Sequence, residues 1–178
     1  MANSSVAIHS PDNDARPDNI LFIQQLKSIV GSRYVLTESS RTLRFRKGFR
    51  CGLGPALAVV QPGSLVEQWR LLKACIAANK IIIMQAANTG LTGGSTPEGS
   101  DYDRDIVIVS TLRIDKIQLI NNGLQAICYA GSTLFQLEST ASIQVLAAPL
   151  SACAGKRMGS VKECTRTFAP AASARKVS

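Results

Sequence analysis

Two apolar runs separated by a capped helix restrict this chain to a small set of mixed folds. Ala56-Leu57-Ala58-Val59-Val60 reads as a short strand, and Pro62-Gly63 ends it. Ser64-Leu65-Val66-Glu67 follows with the S-x-x-E spacing of a capping box. In that motif the serine hydroxyl accepts the amide three residues on, and the glutamate reaches back. The helix it opens is expected to run to about Asn79, with Leu65, Trp69, Leu72 and Ile76 spaced as a core-facing stripe. Trp69 is accordingly read as a core residue. Ile81-Ile82-Ile83-Met84 then reads as a buried strand. Strand, helix and strand make a βαβ unit, whose crossover is right-handed if both strands share a sheet.

Directly after this unit comes Gln85-Ala86-Ala87-Asn88-Thr89-Gly90-Leu91-Thr92-Gly93-Gly94-Ser95-Thr96-Pro97, and a further strand is expected over 106–110. Residues without bulky side chains let backbone N–H groups approach a phosphate, and Ser/Thr hydroxyls add donors. The stretch holds no lysine, lacks the GxxxxGK[ST] spacing and contains no GxGxxG, so neither the P-loop nor the usual dinucleotide fingerprint applies. Such composition also marks ordinary surface loops. Length weighs the other way: a loop of about a dozen residues with no secondary structure is more often functional or disordered than idle.

Around this centre, residues 1–18 read as a flexible lead. Asp18 is placed as the cap of a helix over 19–30. Leu21, Phe22, Ile23, Leu26, Ile29 and Val30 lie mostly on one face of it, and Gly31 supplies the stop. A short helix over 38–45 leads into a basic run with aromatics: Arg41, Arg44, Phe45, Arg46, Lys47, Phe49 and Arg50. Downstream, Ile117-Gln118-Leu119-Ile120, the turn Asn121-Asn122-Gly123 and the return 125–129 form a hairpin. Ser132 or Thr133 then caps another helix. The fold class is α+β: a βαβ unit followed by antiparallel strands, with the glycine loop at the junction.

Composition removes several function classes. Apolar residues at 46% and charged residues at 18% exclude global disorder. No apolar run reaches the length of about eighteen residues that a membrane span needs. The polar N-terminus lacks a signal-peptide core, so a cytoplasmic chain is expected, with contact to a membrane surface left open. Five cysteines without a CxxC pair argue against a disulfide framework or a zinc site. His9 is the sole histidine, which speaks against a Ser-His-Asp triad, and no metal is expected. The net charge is +8, of which residues 139–178 carry +5, leaving +3 for residues 1–138. Interleaved basic and aromatic residues of the 41–50 type can bind single-stranded nucleic acid. With most of the excess in the tail, no nucleic-acid partner is expected.

The succession resembles the FAD-binding domain of the vanillyl-alcohol oxidase / p-cresol methylhydroxylase (PCMH-type) superfamily, and at closer range the quinone-dependent D-lactate dehydrogenases. The residues that carry the likeness are Arg44-Phe45-Arg46-Lys47-Gly48-Phe49-Arg50, Val60-Gln61-Pro62-Gly63-Ser64-Leu65, Met84 to Thr92, Gly94-Ser95-Thr96-Pro97 and Asp101-Tyr102-Asp103-Arg104-Asp105. It covers about 20–138. It implies that Ala86, Ala87, Asn88, Thr89, Gly90, Gly94 and Ser95 contact FAD, holding its pyrophosphate through backbone and hydroxyl groups. With no suitably placed histidine, that FAD is expected to be non-covalent. D-lactate and quinone are the substrates the likeness implies, with a location peripheral to the cytoplasmic side of a bacterial inner membrane.

The likeness stops after Leu134-Phe135-Gln136-Leu137-Glu138. The expected organisation is therefore a lead over 1–18, a partial PCMH-type domain over 19–138 and an atypical basic tail over 139–178. A frameshifted or truncated product, in the alternative a remnant without function, and a natural short paralogue are both consistent with that ending. Hydride removal from a 2-hydroxy acid needs a base and cations for the carboxylate. No residue of 1–138 is assigned either role, so the catalytic residues stay unknown and the isolated chain is expected to be inactive.

Overall fold

The computed structural model describes residues 16–147, with side chains as far as 141. Most of the expected lead, His9 and the tail beyond 147 lie outside the described residues. The chain divides into two compact units, Met1–Ala141 and Ser142–Ser178, and the core and candidate site belong to the first.

Helix α1, Pro17–Val30, starts differently from the expectation. Arg16 is its N-cap without a side-chain bond, and Pro17 takes the first turn, where a missing N–H is harmless. Asp18 lies inside that turn, where a carboxylate favours the helix dipole. At the other end Gly31, with φ of 88°, donates its N–H to Lys27 O. A 3₁₀ turn, Ser32–Tyr34, leads to β1, Val35–Leu36, a two-residue strand with no sequence signal of its own. Helix α2 spans Ser39–Arg46 and β2 spans Ala58–Val60.

Helix α3, Leu65–Ala77, is capped as its sequence demands: Ser64 Oγ accepts the Glu67 N–H at 3.2 Å. Glu67 reaches back one residue further than the motif requires and accepts the Gly63 N–H at 2.7 Å. The buried face of α3 is not the expected one. Leu71, Ala74 and Cys75 are buried, whereas Leu65, Trp69 and Ile76 are exposed, Trp69 by 58%. Small residues at Ala74 and Ala78 let α3 sit close to α1 and the sheet. Trp69 instead lies outside, with Lys73 Nζ 4.6 Å from its ring centre.

Strands β3, Ile81–Gln85, and β4, Ile106–Ser110, complete a four-stranded sheet in the order β1-β2-β4-β3. β2, β4 and β3 run parallel, and β1 pairs antiparallel with β2. β2 and β3 thus share a sheet but are not neighbours, because β4 enters between them. That insertion corrects the reading of Ile81–Met84 as a buried strand: β2 and β4 are buried throughout, while β3 is a half-buried edge with Met84 exposed.

Side-chain alternation sends Ala58, Val60, Val107 and Val109 toward α1 and α3. On the opposite face, Val59, Ile106 and Ile108 pack with Phe45 of α2. The hairpin forms as expected, β5 Ile117–Ile120 with β6 Gln125–Cys128, but as a separate two-stranded sheet. Thr133 caps α4, Leu134–Ala147: its Oγ1 accepts the Gln136 N–H at 3.2 Å, and Gln136 Oε1 accepts the Thr133 N–H at 2.7 Å. The backbone of α4 runs on past Glu138, where the family likeness stops.

Candidate functional site

The glycine loop leaves β3 at Gln85, at the C-terminal end of the parallel strands, where open α/β sheets place their ligands. Gln85 is buried and anchors the loop base. Its Nε2 donates to Phe45 O at 2.8 Å and to Ser95 O at 2.7 Å, while the Thr111 N–H donates to Gln85 O at 2.8 Å. Both ends of the loop are thereby tied to one side chain.

Asn88 supplies the second brace. Its φ of 57° is left-handed, a conformation that asparagine tolerates better than most residues. Asn88 Nδ2 donates to Lys47 O at 2.9 Å, and Asn88 Oδ1 accepts from Ser95 Oγ at 3.0 Å. Of the seven residues singled out in the sequence, Asn88 and Ser95 therefore hold the loop's shape. Ala86, Ala87, Thr89, Gly90 and Gly94 lie exposed along it.

A third brace was not foreseen. The segment after α2 folds back on itself, with the Gly48 N–H on Gly52 O at 2.8 Å and a bridge between Lys47 and Leu53. It packs against the far end of the loop. Gly52 has φ of +88°, and a Cβ there would lie 2.1 Å from Thr96 Oγ1. Arg46 pins this segment from below: it is buried, donates to Thr42 Oγ1, Ser39 Oγ and Gly54 O, and burial lowers its pKa. Spacing could not separate this structural arginine from its exposed neighbours; contact with Gly54 does.

The amides between the braces are unpaired. Among the described residues, no amide from Ala86 to Ser95 donates a hydrogen bond, and the first that does is Thr96, to Gly93 O at 3.2 Å. A Cβ on Gly94 would meet nothing within 4 Å, and one on Gly90 only Ser95 Oγ at 3.9 Å. Beneath the loop base, Gln85 Oε1 and Ser110 Oγ are buried without partners on paired residues of β3 and β4. Free donors and open space at one place fit a polar, anionic group such as a diphosphate, whereas the orphaned Gln85 Oε1 can only accept a hydrogen bond and takes no part in that fit. The fit is to an open surface, because neither of two cavities in the described residues is lined by a residue of 86–95. One, of about 380 Å³, lies at the other end of the sheet beside Lys80, Tyr102 and Asp105. The described residues contain no cluster of three or more His, Cys, Asp or Glu suited to a metal ion.

The chain is 60% identical over 121 residues to the quinone-dependent D-lactate dehydrogenase of Escherichia coli (strain K12), which covers 68% of this chain and 21% of that protein. The Haemophilus influenzae protein of the same name is 58% identical over 117 residues, 66% of this chain and 21% of that one. Over this stretch the chain is homologous to the quinone-dependent D-lactate dehydrogenases. It spans about a fifth of the length of these relatives. No family model matches it. In fold it is similar to p-cresol methylhydroxylase, with a TM-score of 0.60 at 18% identity over 76% of this chain and 27% of that one. Alkyldihydroxyacetonephosphate synthase gives 0.63 at 18% identity, over 70% and 25%. The architecture is thus an α+β fold of the p-cresol methylhydroxylase type over part of that protein's length, as expected from the sequence.

Proposed function

We propose that the chain is the FAD-holding portion of a flavin-dependent oxidoreductase that oxidises D-lactate to pyruvate with quinone as acceptor. The observation that carries this reading is the run of unpaired amides from Ala86 to Ser95, kept open by Gln85, Asn88 and the Gly48–Gly54 segment. The identity to quinone-dependent D-lactate dehydrogenases supports the reaction class, and the PCMH-type fold supports flavin as the cofactor.

In this reading the amides of Ala86, Ala87, Thr89, Gly90 and Gly94 donate to the pyrophosphate oxygens, and the Thr89 hydroxyl adds one more donor. Asn88 and Ser95 keep those amides pointed outward. The flavin, when bound, supplies the two-electron acceptor for lactate oxidation. With no suitably placed histidine the flavin is held non-covalently, and with no lysine in the loop the loop's own donors to the negative charge are dipoles, so its contribution is only weakly salt-dependent. The base that takes the lactate hydroxyl proton and the cation that holds its carboxylate are not assigned here, so this chain alone is proposed to bind flavin without turnover. Attachment to the cytoplasmic face of a membrane belongs to the same proposal. No helix of the described residues is long and apolar enough to cross a membrane.

Titration of the purified chain with FAD, followed by quenching of flavin fluorescence, tests the reading. A saturable 1:1 complex lost in Gly90→Val is expected. A folded chain that leaves FAD fluorescence unchanged sinks it.

A further inference from the structure

A second polar site lies away from the glycine loop. Arg33, Arg41, Arg44 and Arg113 converge on a cavity of about 630 Å³ that Tyr34 and Gln61 also line. No carboxylate lines it, and among the described residues none of the four guanidinium groups has an ion-pair partner. Four like charges gathered without a counterion repel one another, a cost that a bound anion removes.

The cluster is built around Arg113, not scattered. Arg113 Nη1 donates to Gln61 O at 2.6 Å, and its Cζ lies 3.3 Å from the Tyr34 ring centre. A Cβ on Gly63 would lie 2.6 Å from Arg113 Nη2, so the guanidinium occupies space that only glycine leaves free. Backbone oxygen, ring and missing side chain fix its plane before any ligand arrives. Arg41 and Arg44 stand three residues apart on α2 and face the cavity together. Arg33 is added from the 3₁₀ turn, its Cζ 5.9 Å from the same Tyr34 ring.

We propose that this cavity binds a phosphate group, either free in solution or carried by a lipid headgroup. Guanidinium forks pair two donors with two phosphate oxygens, and a dianion with three oxygens can engage several forks at once. One carboxylate would neutralise only one of the four charges. No residue of the glycine loop lines this cavity, so the proposal stands independently of the flavin reading.

The test is calorimetric titration of the full chain with inorganic phosphate at low salt. One saturable site is expected. Arg113→Gln should weaken it about tenfold or more, since it removes charge-assisted bonds. The exposed pair Arg41→Gln/Arg44→Gln, which gives up only the stacking of Arg44 over the Phe45 ring at 4.5 Å, should weaken it to a similar degree. Arg113→Lys, which keeps the charge and loses the fork, should fall between wild type and Arg113→Gln. Gly90→Val should leave phosphate affinity unchanged. Co-sedimentation with phosphatidylcholine vesicles containing phosphatidic acid, absent with phosphatidylcholine alone and lost in Arg41→Gln/Arg44→Gln, assigns the group to a headgroup. Phosphate binding without vesicle retention assigns it to a soluble ligand. Equal phosphate affinity in wild type and both glutamine variants overturns the proposal, as does loss of that affinity in Gly90→Val alone.

Discussion

At the N-terminal end of β3 and β4, Lys80 Nζ donates to Asp105 Oδ2 and to Asn19 Oδ1, each at 2.7 Å, and Asn19 Nδ2 donates to Asp105 Oδ2 at 3.2 Å. The Lys80 and Asp105 side chains are only 12% and 11% exposed, and Lys80 also stands 5.6 Å from the Phe22 ring. At the C-terminal end of the same strands, the glycine loop leaves its amides without acceptors. At one end Lys80, Asp105 and Asn19 close upon one another and tie α1 to the sheet. The other ties down only the loop's supports and leaves its donors outward. The contrast separates groups that hold the fold from groups available to a ligand, although both regions are polar and both lie at strand ends.

That contrast breaks most readily at the closed end. Asp105→Ala leaves the Lys80 ammonium nearly buried beside apolar neighbours, and removing one partner of such a pair costs about 3 kcal/mol. Urea unfolding followed by circular dichroism should show that loss, while flavin affinity of the folded fraction stays at the wild-type value. A parallel fall in flavin affinity would mean that the two ends are coupled. Next in size is Gly52→Ala, at the far brace of the loop. It combines a left-handed backbone with a Cβ 2.1 Å from Thr96 Oγ1, so Thr96 or the 48–54 segment must move. The expected cost is about 2 kcal/mol, and here flavin affinity should fall as well.

Asn88→Ala sharpens the comparison by acting on the loop itself. It removes the bonds to Lys47 O and Ser95 Oγ and places alanine in a left-handed conformation. Because the loop is exposed, stability should drop by only about 1 kcal/mol. Flavin affinity should fall about tenfold, since the amides lose their orientation. Asn88→Gly, which relaxes the backbone but not the braces, should recover stability and not affinity. Recovery of both would leave Asn88 a merely conformational role.

The sequence displayed the loop, the hairpin and the capped helix because each has a local chemical signature: small residues, an Asn-Asn-Gly turn, a serine three residues before a glutamate. It hid what depends on partners distant in the chain. α3 carries two apolar stripes, and only the docking of α1 selects Leu71, Ala74 and Cys75 over Leu65, Trp69 and Ile76. β3 looked buried because it is apolar, but burial followed from strand order, which β4 decided by entering between β2 and β3. Among the site residues, the exposed backbone was legible from small side chains. The bracing roles of Asn88 and Ser95, and the packing of Gly52 on Thr96, required partners 7 to 44 positions away.

The smallest expected effect comes from the core beneath both ends. Burial pushes the Cys75 thiol up from 9.0 to about 11, against the opposing field of Lys80. In the unfolded chain the thiol ionises near its ordinary value, while the folded chain keeps it neutral until higher pH. The stability this group contributes is therefore complete below pH 9 and is lost as pH climbs toward 11. Urea midpoints should decline through that window, and Cys75→Ala should flatten this component while lowering the midpoint at every pH through its small cavity. Iodoacetamide provides an independent check: Cys51 and Cys128, both exposed, should alkylate in the native state, and Cys75 only after unfolding. Native-state labelling of Cys75 would show that the α1–α3 contact opens on its own, and the closed half of the molecule would then be no more rigid than the loop it supports.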